Sequence, residues 1–268
     1  MPRLANPCFW GPTTHRGPEI SNAMKTMLRG ALLTTLLLAA PSLVRADEFT
    51  PAQRAAIIAI VRDALKNDPS ILRDAVTALQ ADEGEQTKAA TRAAIAETHD
   101  TLVRPEDPVA GNPKGDVTIV EFFDTRCPYC RKMEPVMTQF LGQDRNVRLV
   151  YKDLPILGPA STLGSKALLA AQKQGAYEKM RDAVMKLPSE TTLPMIQAEA
   201  KRLGLDPVRL AHDMEEPSVQ QRLDDNLKLA HVLGIQGTPA LVIGGDLIPG
   251  SLDLPELQKV VAEARKGG

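Results

Sequence analysis

From Phe49 to Leu79 apolar residues recur at helical spacing, first as Ile57, Val61 and Leu65 and then as Leu72, Val76 and Leu79. Asp68-Pro69 divides the pattern into two predicted helices, with Asp68 as N-cap and Pro69 at the first helical position. Residues 82–103 continue in Ala, Glu, Lys and Thr, with only Ile95, Leu102 and Val103 strongly apolar, which predicts a helix with a thin packing face. Such a stripe can pack on the main domain or on copies of itself as an oligomerisation stalk, and no sustained heptad decides between them. Residues 104–115 contain Pro105, Pro108, Pro113, Gly111 and Gly115. That composition predicts a linker and a domain boundary.

The period then changes. Residues 117–123 and 147–151 are short β-rich runs separated by a helical stretch from Pro128 to about Gly142, which is the spacing of a βαβ unit. Residues 160–233 carry no strand signal and predict an all-helical insertion: 161–174 closed by Gly175, 177–186, 192–203 closed by Gly204, a helix opened by Asp206-Pro207, and 218–233 closed by Gly234. After it, residues 240–243 and Leu247-Ile248 flank Gly244-Gly245-Asp246, a hairpin signal, and residues 254–264 form a final amphipathic helix. The fold class is α/β with a helical insertion and an N-terminal helical segment over 47–103.

The N-terminus sets the compartment. Lys25 and Arg29 precede an apolar run at 31–40 and a small-residue Val44-Arg45-Ala46 ending, the pattern of a secretory signal peptide over 24–46 with cleavage after Ala46. The run falls short of the ~20 residues needed to span a bilayer, although an uncleaved anchor is the alternative. Residues 1–23, rich in Pro, Gly and polar residues, read as a mis-assigned upstream start or a disordered extension.

Composition narrows the function. Across 268 residues, 43% are hydrophobic and 24% charged, the balance of a globular chain. Thirty-two basic and 33 acidic residues give a net charge of -1, so the basic excess of a nucleic-acid binder is missing. Cleavage would also remove Cys8, leaving Cys127 and Cys130. In an oxidising compartment that pair is a poor staple, because the loop it closes is tiny.

Cys127-Pro128-Tyr129-Cys130 follows a predicted strand and opens a helix, which places Cys127 where unpaired backbone N–H groups and the helix dipole favour a thiolate. Arg131 and Lys132 add positive charge. Cys127 is the candidate attacking thiol and Cys130 the resolving one, in a reversible dithiol/disulfide couple. The competing assignments are weaker. A structural zinc site needs four ligands, and only His99, His212 and His231 are on hand beyond the two cysteines. Copper(I) on two thiolates, with Met133 or Met137, suits soft-ligand chemistry, but Met at this spacing is more often core. No metal and no cofactor are expected.

At these residues the chain resembles the thioredoxin superfamily, and within it the periplasmic DsbA-like thiol-disulfide oxidoreductases. FFDTRCPYCRKMEP carries the strand, the CxxC and Pro135, five residues after the second cysteine, where such proteins kink the first helix. Gly237-Thr238-Pro239 before ALVI matches the family's cis-proline loop, which lies against the CxxC and presents backbone to an extended substrate. The resemblance implies a thioredoxin fold, with Pro128, Tyr129, Thr238 and Pro239 as the substrate-facing surface. It also gives Glu121 the place of the buried acid beneath the active site, with Lys152 as its partner and a proton-transfer role toward Cys130. Thr125-Arg126 departs from the aromatic often found before the motif.

The N-terminal helices with CPYC and Thr-Pro resemble the suppressor-of-copper-sensitivity protein C type, in which a stalk oligomerises the catalytic domains. The implied activity is disulfide exchange with exported, cysteine-containing clients in the periplasm, with isomerase or reductase slightly favoured over oxidase. The family implies a membrane redox partner and a homo-oligomer through the N-terminal helices. The alternative is a non-enzymatic periplasmic copper-binding or holdase protein.

Overall fold

A computed structural model describes residues 49–267; the expected extension, the signal peptide and Cys8 lie outside the described residues. By compactness the chain divides into one unit ending at Ile60 and another that runs from Val61.

The N-terminal helix α1 (Pro51–Asn67) has no buried side chain, and Ile57, Ile58, Ile60, Val61 and Leu65 are exposed along it. The break at Asp68-Pro69 lies where the sequence puts it, one residue out of step. Asp68 Oδ1 accepts from the backbone N–H of Ser70 at 3.1 Å, and the next helix α2 (Ser70–Glu97) starts after Pro69 instead of at it. The short α3 (His99–Leu102) follows.

A five-stranded sheet forms the centre, built from β1 (Val109–Gly111), β2 (Val117–Phe123), β3 (Val147–Asp153), β4 (Ala240–Ile243) and β5 (Asp246–Pro249) in the order β1-β3-β2-β4-β5. Strand β2 runs parallel to β3 through α4 (Pro128–Gln143), and antiparallel to β4. Strand β1 falls inside the stretch expected to be a linker; three residues pair antiparallel with β3 there, too few to show as a periodic run. Gly244 and Gly245, at φ 58° and 85°, make the β4–β5 turn in a conformation that disfavours side chains.

Between β3 and β4 come α5 (Pro159–Gln172), α6 (Tyr177–Val184), α7 (Leu193–Arg202), α8 (Pro207–Met214) and α9 (Pro217–Val232), and α10 (Leu254–Gly267) ends the chain. Their starts follow local chemistry. Pro159, Pro207 and Pro217 occupy first helical positions, and the Asp206 side chain accepts from the backbone N–H groups of Val208 and Arg209 at 2.8 and 3.0 Å.

The two faces of the sheet bury separate cores. Ile119 and Phe123 of β2, with Leu149 and Tyr151 of β3, face α4 and the helices of the insertion. Val120, Phe122 and Val150 face the other way, onto α9 and onto Ile95 and Leu102 at the end of the N-terminal helical segment. Packing therefore extends upstream of residue 104. Lys152 belongs to this second face: its Nζ lies 2.6 Å from Asp107 and donates to the carbonyl of Thr101 at 2.9 Å, with both charged side chains 1% exposed. Arg222 of α9 also pairs with Asp107, at 3.0 Å.

Removing one member of a buried pair strands the other charge, which costs about 3–5 kcal/mol. Asp107→Ala is expected to destabilise the fold by that amount in urea unfolding of the reduced protein, and a loss under 1 kcal/mol would refute this account of Lys152, since exposed pairs contribute at most about that much.

Candidate active site

Helix α4 begins at the dithiol. Cys127 is its N-cap, at φ -66° and ψ 120°, and Pro128 occupies the first helical position, where the missing N–H costs nothing. Cys130 lies one turn in and is fully buried. Pro135 lies inside the same helix. The Cys127 residue is 4% exposed and its Sγ donates to the carbonyl oxygen of Thr238 at 3.1 Å. The Thr238-Pro239 bond is cis, and Pro239 leads directly into β4, the strand beside β2. Pro128 and Tyr129 stand outside this contact and are exposed, Tyr129 by 61%. The sequence-assigned residues Cys127, Cys130, Pro128, Tyr129, Thr238 and Pro239 are thus gathered at one end of the sheet.

The loop before the dithiol is held from below by Asp124, a residue that sequence reasoning passes over. Its Oδ1 accepts from the backbone N–H of Arg126 at 2.7 Å and from Ser161 Oγ at 2.7 Å. Its Oδ2 accepts from the backbone N–H groups of Ile156 and Leu157 at 2.8 and 3.0 Å. One buried carboxylate thereby ties the β2–α4 loop to the β3–α5 loop. Gly164 of α5 completes the contact: a Cβ there would meet Thr125 Oγ1 at 2.5 Å.

Glu121 is buried, but not with Lys152. In the parallel β2–β3 register Glu121 lies opposite Tyr151, and Lys152 opposite Phe122. Side chains alternate across a strand, so Glu121 and Lys152 point to opposite faces of the sheet. The cation that meets Glu121 is Arg181 of α6, whose Nη2 donates to Glu121 Oε2 at 3.4 Å. The same guanidinium donates through Nη1 to Glu134 of α4, and it sits 4.7 Å from the ring centroid of Phe123 and 4.4 Å from that of Tyr151. Arg181 and Glu121 are each 1% exposed. Sequence held a signal for Arg181: with Tyr177, Met180 and Val184 it falls on the buried stripe of α6, where a charge needs a partner.

These surroundings shift the groups. Burial raises the Cys130 thiol far above its ordinary range, and negative charge on Cys127 or Glu121 raises it further. Burial also raises the Glu121 carboxyl, with the charge of Arg181 pulling down and that of Glu134 pushing up. Met133 and Met137 are 1% and 2% exposed and belong to the same buried core as Cys130. His212, Asp213 and Glu216 bring ligand-type atoms within 4.8 Å of one another, but Asp213 already faces Arg209 at 3.5 Å and Glu216 is paired with Lys173.

A parallel βα unit joined to an antiparallel hairpin, with a CxxC at the helix start facing a cis-proline, defines a protein of the thioredoxin fold; here a helical block is inserted between the two halves. The chain belongs to the DSBA-like thioredoxin domain family, whose profile matches residues 118–262. Residues 53–86 match a second profile, the copper resistance protein ScsC N-terminal domain. Among solved structures, a thioredoxin-like oxidoreductase from Silicibacter pomeroyi DSS-3 is 42% identical, with a TM-score of 0.61, covering 63% of this chain and 98% of that one. A linker-deletion and N6K mutant of Proteus mirabilis ScsC is 28% identical, with a TM-score of 0.63, covering 84% of this chain and all of that one. The chain is 30% identical over 172 residues to the Na(+)/H(+) antiporter NhaA 1 of Salinispora arenicola, which is 62% of this chain and 26% of that protein. It therefore spans about a quarter of the length of the antiporter relatives it matches. Among the described residues no helix is long and apolar enough to cross a membrane.

Beside the Glu121 layer, Tyr177 Oη donates to Asp153 Oδ2 at 2.8 Å, and burial pushes the Asp153 carboxyl up to about 7 despite that bond and the positive charges of Arg222 and Arg181. The folded protein thus holds this proton more tightly than the unfolded chain does. The resulting stability is complete below about pH 4 and is lost as pH rises toward 7. Asp153→Asn is expected to remove that loss, gaining on the wild type at roughly 1.4 kcal/mol for each pH unit climbed between about pH 4 and 7, a few kcal/mol in all. Chemical unfolding at both pH values checks it; parallel pH dependences for the two proteins would contradict it.

Proposed function

We propose that this chain is a periplasmic thiol-disulfide oxidoreductase that exchanges disulfides with exported, cysteine-containing proteins through Cys127 and Cys130, with isomerase or reductase action slightly favoured over oxidase. The observation that carries the reading is the contact of Cys127 Sγ, at the N-cap of α4, with the Thr238 carbonyl beside cis-Pro239. Backbone that meets the reactive sulfur in this way can also line up an extended client strand against it.

The chemistry follows from the two sulfurs. Cys127, once it has lost the proton that it donates to the Thr238 carbonyl, attacks one sulfur of a client disulfide as a thiolate at the helix N-terminus. That bond breaks, a mixed disulfide forms, and the client's other sulfur leaves as a thiolate. In reduction, Cys130 gives its proton to the Glu121 carboxylate and its thiolate attacks Cys127 Sγ. The Cys127–Cys130 disulfide closes, the client's second sulfur leaves, and two electrons have passed to the client. In isomerisation a different client thiolate attacks the mixed disulfide instead, Cys127 is released, and no net electrons move. Because burial holds Cys130 protonated, a neighbouring base is needed for the first route. A membrane redox partner that resets the pair is part of the reading.

The preference for isomerisation rests on the apolar residues exposed along α1 and the start of α2, including Ile57, Ile60, Leu72 and Leu79, within the stretch that matches the ScsC N-terminal profile. Exposed apolar residues of this kind, on each unit taken by itself, fit association of several copies, which would hold several dithiols near one misfolded client.

Cys127→Ala is expected to lose all exchange in insulin reduction, and Cys130→Ala to accumulate a mixed disulfide with the client. Retained copper handling or client protection by a wild type that exchanges no disulfides would favour the non-enzymatic alternative. For direction, recovery of scrambled ribonuclease is compared between the chain from residue 47 and one shortened to begin at residue 83. A start near Asp107 would cut away the core residues Ile95 and Leu102. The longer chain is expected to be multimeric and several-fold more active. Equal activity with monomeric mass for both removes the reason to prefer isomerase.

A further inference from the structure

We propose that Arg181, carried into the core by the helical insertion, is the positioning residue that sets the charge on Glu121, and that Glu134 competes for the same guanidinium from the edge of the core. The inference rests on the proposed thiol-disulfide exchange, and it gives the insertion a direct part in the redox centre.

The geometry is a cation shared by two carboxylates. Arg181 reaches Glu121 through Nη2 and Glu134 through Nη1, and its Cζ lies over the rings of Phe123 and Tyr151, which meet edge to face on one side of it. Glu134 is 21% exposed at its side chain whereas Glu121 is 1% exposed, so the outer carboxylate stays hydrated while the inner one depends on Arg181 to hold a negative charge. Among the described residues Glu121 Oε1 has no hydrogen-bond partner, which leaves that oxygen to carry the transferred proton.

The other groups that face this pair are few. From α4 there is Cys130 itself, and from β3 come Tyr151 and, further along, Asp153 with the Tyr177 hydroxyl bound to it. Leu241, the β4 neighbour of Glu121, is apolar. Glu178 and Asp182 of α6 add negative charge near Glu134 and Arg181 at the exposed end. Tyr151 and Tyr177 are both raised by burial and stay neutral, so Arg181 is the one cation that balances Glu121 among the groups that act on it.

An arginine in this place has a consequence that a lysine would not. Guanidinium does not release its proton in proteins, so Arg181 can bias Glu121 but cannot relay a proton to it. Proton exchange with Cys130 then falls to Glu121 alone, and Arg181 and Glu134 fix the pH at which it is ready to accept.

The test follows the Glu121 carboxyl by carbon-13 NMR in the reduced full chain, together with the pH profile of mixed-disulfide resolution. Arg181→Met is expected to raise the Glu121 midpoint by about one pH unit or more, and Arg181→Lys to restore most of it. Glu134→Gln is expected to move the midpoint the opposite way, and as a partly exposed position it serves if Arg181→Met fails to fold. The low-pH limb of resolution should move with the midpoint in each variant and vanish in Glu121→Gln. A midpoint unmoved in Glu134→Gln, or shifted in the same direction by both variants, overturns the inference while leaving disulfide exchange intact. If the midpoints move as expected but the wild type exchanges no disulfides, the charge-setting role of Arg181 holds and the proposed function fails.

Discussion

A carboxylate buried under a pair of thiols has to be balanced from the same face of the sheet, and much of the site's surroundings follows from that. On β2 the alternation of side chains sends Ile119, Glu121 and Phe123 toward α4 and the insertion, and Val120 and Phe122 toward the opposite core. Only an element that covers the first face can supply the cation. Helix α6 does so, because its stripe of Tyr177, Met180, Arg181 and Val184 is buried there. The insertion is therefore more than a cap on the sheet. It brings the charge that lets an acid exist beneath Cys130.

The opposite face solves a similar problem independently. Lys152 is balanced by Asp107, which also takes Arg222 from α9, while Arg104 reaches Asp225 on that same helix at 3.2 Å. These pairs fasten the segment that leads into β1 against α9. Asp124 adds a third anchor at the end of the sheet, where four donors converge on it from three segments. Such satisfied buried carboxylates contribute definition of geometry more than net stability, since desolvation offsets much of their attraction. The β2–α4 and β3–α5 loops are fixed to one another in this way.

Most of the elements were legible because helix ends and turns announce themselves locally: the Asp206 cap with the proline that opens α8, and the glycine pair of the hairpin, are read directly from adjacent residues. The dithiol is read in the same way, whereas the Thr-Pro turn is found through its resemblance to a family motif. What local reading missed depends on register. Glu121 and Lys152 look equivalent as charged residues in neighbouring β runs, and only the pairing of Glu121 with Tyr151 reveals that they face apart. β1 was hidden because three residues are too few to show a period, and its partner strand lies some 40 positions away in the chain. The N-terminal helical segment was divided from the rest at its prolines, yet Ile95 and Leu102 already belong to the core, since a thin apolar face is enough when it closes an existing sheet.

The choice of arginine also constrains how the centre can evolve. Its cation lies over the rings of Phe123 and Tyr151 and reaches one carboxylate through each terminal nitrogen, a two-handed contact that an ammonium does not match even where it restores the charge. The aromatic pair is itself packed edge to face at 5.8 Å, and Tyr151 stacks on toward Tyr177 at 5.6 Å. Substituting either ring would disturb the cation, and with it the surroundings of Glu121. The insertion, the central strands and α4 are thus coupled through one side chain. On the role proposed for Arg181, a change in the packing of α6 would reach Cys130 through the charge on Glu121, as electrostatics rather than shape.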